Sequence, residues 1–389
     1  MSPKTVLHLR SEQKPLEHRS ALTPTTTDAL IKSGRFEVHV ERSPADPSRK
    51  RIYDDAEFEA VGATLVQDQS WTGAPTDHII IGLKELDPET FPLKHTHVQF
   101  AHCYKTQAGW AGVLSRFPRG GGTLLDLEFL VDANRRRIAA FGYHAGFAGS
   151  ALAIKTWAWQ LEHGATPLPG VEKFTDGRGY YENEDQMLEQ LRGELRAGTE
   201  KAGRAPRVFV MGALGRCGRG AVDLFLKAGL PTENILKWDM AETSGRPGPY
   251  HEIVESDIFV NCIYLSDPIP PFLNKETLEA PGRKLTVICD VSCDTTNPHN
   301  PIPVYSVNTT FTHPTVPVEL DTEPPCSVIS IDHLPSLLPR ESSEAFSADL
   351  LPYLLQLDNW RQAEVWGRAL ELFEQKVATL PEGMAKRET

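Results

Sequence analysis

The sequence predicts an α/β protein of two Rossmann-like, doubly wound domains with an active-site cleft between them. Three observations carry this expectation. The chain has 389 residues, more than one apolar core normally serves, so two domains of roughly 150 to 200 residues follow. Short apolar runs alternate with helical patterns in two separate series, the mark of βαβ units and parallel sheets. The second series opens on a strand-to-helix turn punctuated by glycine.

The first series starts with the strand pattern TVLHL. TPTTTDALIKSG follows, with Pro24 near a helix start, then the strand FEVHVE and a second helix from about Asp55 to Val61. HIIIGLK and THVQFAH read as two further strands, ending at Lys84 and His102, and QAGWAGVLSRF as the crossover helix after them. From Phe141 to His163 the chain is rich in Ala and Gly with aromatics at helical spacing. This suits a long buried helix leading from one domain to the next, its tryptophans facing a core. Residues 164–204 mix Gly, Pro and charge around one helix, EDQMLEQLRGELRAG, and read as linker and surface. The second series runs from Arg207 through RVFVMG, AVDLFLKAGL, ILKWD, DIFVNCIYL, LTVICDVS and SVISID, giving five strands with interposed helices. The last 50 residues look helical and are expected to pack back on the first domain.

Composition excludes several classes. Hydrophobic residues make up 40% and charged residues 24%, as in an ordinary globular chain. Forty Lys and Arg against 52 Asp and Glu give a net charge of −12, which argues against nucleic acid as a partner because that affinity comes from neutralising phosphates. No run of about 18 apolar residues occurs and MSPKTVLHLR is not a leader, so no membrane partner is expected. The C-terminal KRET matches no peroxisomal address, leaving the cytoplasm as the expected compartment. The six cysteines (Cys103, Cys217, Cys262, Cys289, Cys293, Cys326) form no CxxC pair, so reduced thiols and no metal site are expected.

VFVMGALGRCGRGAVDLFLKAGL places Gly212, Gly215 and Gly218 between an apolar strand and an amphipathic helix. Glycine there lets the backbone approach a pyrophosphate, whose charge the helix N-terminus stabilises. Asp239 closes the next strand, where a carboxylate would accept hydrogen bonds from the adenosine ribose and repel the extra phosphate of NADP. The expected cofactor is NAD. The expected domains are residues 1–140 with 340–389 for substrate and catalysis, and residues 141–339 for NAD, with 141–205 as connecting helix and linker.

The strings LRSEQKPLEHRSALTP, IIIGLKE, QFAHCYKTQAGW, GTLLDLEF, RRIAAFGYHAGFAG, GALGRCGRGA, ILKWD, NCIYL, DTTNPHNPIP and SVISIDHLPSLLPRE resemble, in order and over nearly the whole chain, the fungal saccharopine dehydrogenase family of the lysine-forming type. The resemblance implies a reversible reaction in which saccharopine, water and NAD give lysine, 2-oxoglutarate and NADH. It implies Lys84 as the base that neutralises the secondary amine and His102 as the acid/base for hydration of the imine and collapse of the carbinolamine, with Glu85 and Glu128 tuning the pair. Arg19 and Arg137 would grip substrate carboxylates with paired N–H groups, with Gln107 and Phe141 as further contacts and Lys14 and Lys105 as additions. Arg136, Gly215, Arg216, Asp239, Thr243, Tyr264 and Val291, with Ile331, Asp332, His333 and Leu334, would meet NAD. Ser292, Cys293 and Asp294 would face substrate, although Cys293 replaces an Ala-like family position. Loop capping is the lesser alternative for Asp332 and His333.

Cys217 begins the glycine-loop helix and Cys262 ends a strand expected to neighbour the first, within reach of a disulfide that would crowd the adenosine site. Two buried core thiols are the plainer alternative. A monomer is expected, closing on its ligands. Two other readings stand beside the main one. An alanine-dehydrogenase-like enzyme would turn over pyruvate and ammonia but not lysine and 2-oxoglutarate; a non-catalytic NAD-sensing module would bind cofactor without turnover.

Overall fold

The computed structural model describes residues 3–265, 267–293, 295 and 299–387. The chain forms two compact units, Met1–Ala140 with Pro339–Thr389, and Phe141–Leu338. In chain order, the first stretch of unit 1 contains β1 (Thr5–Leu9), α1 (Pro24–Lys32), β2 (Phe36–Glu41), α2 (Asp55–Ala60), β3 (Thr64–Val66), β4 (Ile79–Ile81), β5 (Thr96–Gln99), α3 (Trp110–Gly120) and β6 (Thr123–Asp126). Unit 2 contains α4 (Gly142–His163), α5 (Glu184–Ala202), β7 (Val208–Met211), α6 (Arg216–Lys227), β8 (Ile235–Trp238), α7 (Met240–Thr243), α8 (His251–Val254), β9 (Ile258–Asn261), α9 (Lys275–Leu278), β10 (Val287–Asp290), β11 (Val316–Pro317) and β12 (Ser327–Ile329). The chain then returns to unit 1 with α10 (Pro339–Leu354) and α11 (Glu364–Val377).

Unit 1 is one parallel sheet in the order β3-β2-β1-β4-β5-β6. Its winding reverses between β1 and β4, so ligands belong at the carboxyl ends of those strands. Local chemistry sets the elements: Thr23 caps α1 by accepting from the amide of Thr26, with Pro24 at the first helical position. Unit 2 has the order β11-β12-β10-β9-β7-β8, with β11 antiparallel and the rest parallel. Its winding reverses between β7 and β9, immediately beside the glycine turn.

The structure adds to the expected strands and corrects one segment. β3 and β6 complete the first sheet, and β11 is a two-residue edge; runs of two to four residues are too short for a two-residue period to declare itself. The segment read as linker and surface belongs to the core of unit 2. Tyr181 is buried, as are Met187, Leu188, Leu191 and Leu195 along one face of the 19-residue α5. Gly198 lets α5 close on α4, because a Cβ there would meet the Trp157 ring.

The expected long helix is α4, rich in Ala and Gly and buried through its middle. It crosses α6 at glycines: a Cβ on Gly146 would strike the carbonyl of Cys217, and one on Gly220 the carbonyl of Tyr143. Backbone meets backbone at that crossing. The helix carrying the glycine turn is thereby held directly against the longest helix in its unit.

Candidate active site

At the carboxyl end of β1 the chain runs Arg10, Ser11, Glu12, and the side chains of Arg10 and Glu12 turn back to hold the loop leaving β4. The buried Glu12 carboxylate accepts the backbone amides of Leu83 (2.7 Å) and Lys84 (2.9 Å). Buried Arg10 donates to the carbonyl of Lys84, and Gly82 leaves room for it, since a Cβ there would land on the guanidinium. Lys84 is therefore fixed through its backbone while its side chain is left to act. Its ammonium makes no hydrogen bond or ion pair among the described residues. Burial lowers its pKa, as does the charge of Arg19; Glu17 pulls the other way, Lys14 lowers it again and Glu85 opposes, leaving it below the usual lysine value.

Arg19 and Glu17 are both buried and meet as a fork, Nε to Oε1 at 2.7 Å and Nη2 to Oε2 at 2.6 Å. Burial alone would push the Glu17 carboxyl up, but the Arg19 charge and hydrogen bonds, with Lys84 beyond, bring it down to about 2.

His102 sits three residues past β5 with φ of +50°, a left-handed conformation unusual for a side chain with a Cβ and of the kind that gathers at functional sites. Its Nδ1 lies 3.0 Å from Oε2 of Glu85, whose other oxygen is 3.3 Å from the ammonium of Lys14. With Nδ1 turned to Glu85, Nε2 is the nitrogen left to exchange protons with a bound molecule. Burial would raise the Glu85 carboxyl, yet the His102 hydrogen bond and the charges of Lys84 and Lys14 hold it well below the carboxylate range. Asp126, at the end of β6, pins the loop by accepting from Ala101 (3.3 Å) and Glu128 (2.8 Å) backbone amides. Burial pushes Asp126 up to about 6.

Glu128 pairs with Lys105 at 2.6 Å, and Gln107 accepts from the Lys105 amide at 3.1 Å. Arg137 lies 6.0 Å over the Phe100 ring, which also stacks with His102 at a centroid distance of 6.4 Å. Unit 1 thus brings together Lys84, His102, Glu85 and Arg19 with Lys14, and sets Arg137 beside the same Phe100. Arg136 is exposed in a turn whose backbone is tied to Asp132, and Phe141 is the residue before α4.

In unit 2, Gly212 has φ of +82° and Gly218 approaches so closely that a Cβ would strike the Gly212 carbonyl. Gly215 is the residue before α6. The Asp239 carboxylate accepts from the amides of Leu214 (3.0 Å) and Met240 (2.9 Å), so it is held at the mouth of the turn. This cradle fits a dinucleotide: glycine where a side chain would obstruct, a helix N-terminus, and an acceptor beyond. Arg216 starts α6, and Thr243 ends α7, its hydroxyl bonded to the Asp239 carbonyl at 3.1 Å. Tyr264 is exposed. The amide of Val291 bonds to the Asn261 carbonyl, and the Ser292 hydroxyl to the Ile263 carbonyl at 2.7 Å. Cys293 has φ of +38°, and Asp294 lies outside the described residues. Ile331 and Leu334 are core side chains, leaving only their backbones to offer, and Asp332 pairs with His333 at 2.5 Å. All six cysteines are free thiols; Cys262 is hydrogen-bonded to Cys217, and burial raises its pKa well above the usual thiol value.

Sequence reasoning missed Arg10, Glu12, Glu17 and Asp126, and the exposed Leu214 and Met240 that flank Asp239. The one available signal was the density of charge in LRSEQKPLEHR directly after an apolar strand. Among the described residues no helix is long and apolar enough to cross a membrane.

The family model described as alanine dehydrogenase/PNT, N-terminal domain, matches residues 8–148. The chain is 63% identical to saccharopine dehydrogenase [NAD(+), L-lysine-forming] of Neurospora crassa, over 100% of both chains. It is 59% identical to the protein of the same name from Yarrowia lipolytica, over 98% of this chain and 100% of that one. Among solved structures, an L-alanine dehydrogenase superposes with a TM-score of 0.63 at 16% identity, covering 96% of this chain and 94% of that one. A transhydrogenase from Sinorhizobium meliloti gives 0.58 at 15% identity, over 90% and 94%. Those two likenesses concern the fold.

Proposed function

The chain belongs to the NAD-dependent, lysine-forming saccharopine dehydrogenase family, and on that premise we propose that it catalyses the reversible oxidative deamination of saccharopine to lysine and 2-oxoglutarate. It is an oxidoreductase acting on a CH–NH bond of a small-molecule substrate. Bound NAD, held by the glycine turn and Asp239, would supply the acceptor for the hydride on the carbon beside the secondary amine. Every other step falls to the residues of the chain.

The amine must shed its proton before that carbon gives up hydride. Lys84 is the proposed acceptor: burial and its cationic neighbours keep a larger neutral fraction than an ordinary lysine has. Water then adds to the resulting imine. His102 takes a proton from the attacking water through Nε2, hands it to nitrogen, and then accepts the hydroxyl proton as the C–N bond of the carbinolamine breaks to give the ketone and the free amine, while Glu85 orients the ring through Nδ1. The substrate carries three carboxylates, which a protein of net charge −12 can hold only where cations concentrate. Arg19, Arg137, Lys14 and Lys105 are the proposed holders. Asp239 supports NAD over NADP, because an ionised acceptor at the end of β8 suits ribose hydroxyls and repels a phosphate.

The observation that carries this reading is the arrangement of a backbone-fixed, unpaired Lys84 beside the Lys14–Glu85–His102 chain. Purified protein mixed with NADH, lysine and 2-oxoglutarate should consume nicotinamide absorbance, and the same protein with pyruvate and ammonia should not. Turnover on the second pair alone would overturn the assignment.

A further inference from the structure

Three histidines of unit 1 stand outside this machinery. His8 of β1 and His39 of β2 are direct register partners, and His78 precedes by two residues Ile80, the β4 partner of His8. Register partners in a parallel pair share a face, and His78 enters β4 two residues before the partner of His8. The three imidazoles meet beside the sheet. One ring nitrogen from each lies within 4.8 Å of the other two, and the ring centroids are 5.3, 6.2 and 6.2 Å apart.

His8 is 2% exposed and His78 9%, and Nδ1 of each is buried with no hydrogen-bond partner. A buried polar atom left unsatisfied is costly, so two in one cluster call for an explanation. The far nitrogen of His8 supplies one. Its Nε2 is 3.1 Å from Oε1 of Glu41, a fully buried carboxylate that also accepts the amides of Ser11 (2.9 Å), Gln69 (3.1 Å) and Trp71 (2.8 Å). With Nε2 engaged by that carboxylate, Nδ1 is the His8 nitrogen left without a partner. A carboxylate behind an imidazole is the arrangement that orients histidine on a metal.

We propose that His8, His39 and His78 bind a divalent transition-metal ion of the zinc class, with three imidazole nitrogens as ligands and water completing the shell. Three-histidine sets with an open position are a standard zinc geometry, and imidazole suits zinc, copper, nickel and iron while a site without carboxylate ligands disfavours magnesium and calcium. Nitrogens at 2.0–2.1 Å from a tetrahedral ion stand about 3.4 Å from one another. The rings must close from within 4.8 Å to that spacing, and His39, the partly exposed member, has room to swing. The bound ion would stitch β2, β1 and β4 together and, through Glu41, brace the Ser11 loop that leads to Glu12 and Lys84.

The test is a titration of the full chain, first stripped with a chelator, with Co²⁺ and then Zn²⁺. The expected result is one Co²⁺ per chain with the visible bands of a four- or five-coordinate nitrogen site, displaced by Zn²⁺ and raising the thermal midpoint. His39→Ala and His78→Gln should each weaken uptake by about 100-fold or more, since even outer-shell changes cost 10–100-fold. No uptake by the unaltered chain overturns the proposal, as does uptake undiminished in both variants. An intense thiolate-to-cobalt absorption, marking a cysteine site, overturns it equally. The spectrum of the unaltered chain decides the matter even if a variant fails to fold.

Discussion

At the scale of single residues, the site is a set of charges balanced against burial. Lys84 is pushed down by burial and Arg19 and pulled up by Glu17, so its two neighbours should move the acidic limb of the rate profile in opposite directions. In the proposed mechanism neutral Lys84 is the active form, so kcat/KM for saccharopine oxidation should fall as pH drops through its lowered pKa. Arg19→Met, which removes the cation and leaves Glu17 unpaired, should shift that limb to higher pH, and Glu17→Gln should shift it lower. A limb that stays put in both variants would remove Lys84 from the role of base. Lys84→Met should lower kcat by about 10²–10⁴-fold, the usual worth of a positioned acid or base. Glu17 also bears on stability. Its folded pKa of about 2 lies below the ordinary value of 4.5, so the pairing stabilises fully above 4.5 and is lost as pH falls through about 2. Glu17→Gln strands a buried guanidinium and should cost about 3–5 kcal/mol at neutral pH by denaturant unfolding. Replacing both partners by Met should recover most of that while leaving substrate affinity poor. Lys84 and His102 were singled out by the resemblance of IIIGLKE and QFAHCYK to the family, since residues at the ends of apolar runs are ordinarily surface charges or core histidines. Glu17 was not: a fork between residues two apart in an irregular loop follows no period.

At the scale of elements, the glycine turn is held by how α4 and α6 cross. Alanine is a better helix former than glycine by about 1 kcal/mol, so propensity predicts that Gly220→Ala in α6 stabilises. The added Cβ, however, would strike the Tyr143 carbonyl, and overpacking at backbone contact costs about 1–3 kcal/mol. The second effect wins: the variant should unfold at lower temperature and bind NADH more weakly, because the turn from Gly212 to Gly218 moves with α6. Gly193→Ala, in α5 with nothing within 4 Å of the new atom, is the control and should raise the thermal midpoint slightly. Equal behaviour of the two variants in a melt with and without NADH would show that the crossing has no such role. The long apolar α4 was readable from composition alone. The contribution of α5 was not, because its charged outer face masked Met187, Leu188, Leu191 and Leu195, and only the packed structure shows which stripe is buried. The histidine cluster was likewise hidden, since its members meet only once β2, β1 and β4 are placed side by side.

At the scale of the whole molecule, the two sheets differ in how the chain completes them. Unit 2 is one continuous segment, whereas unit 1 needs both ends of the chain. Its C-terminal part is structural as well as covering: Phe346 of α10 packs on Phe100, whose ring also faces His102, and Phe373 of α11 packs on Phe117 of α3. Polar joints reinforce this, with the Ser20 amide donating to the Ser343 hydroxyl at 2.9 Å and the Tyr53 hydroxyl to Glu344 at 3.1 Å. Removing the segment would expose buried Phe346, Leu350, Leu354, Leu357, Trp366 and Phe373 partners, at about 1.5–3 kcal/mol for each large apolar side chain, against a total stability of about 5–15 kcal/mol. Unit 1 cannot survive that loss. Unit 2 keeps its own core, its crossing helices and its glycine turn. A chain ended after Leu338 should therefore lose turnover entirely and show one cooperative thermal transition in place of two, while still quenching its tryptophans on NADH addition. NADH at 100 times its dissociation constant should raise that remaining transition by about 2.7 kcal/mol. If the shortened chain binds no NADH, the cofactor site is not confined to unit 2; if it still turns over lysine and 2-oxoglutarate, Phe100 and His102 do not depend on α10.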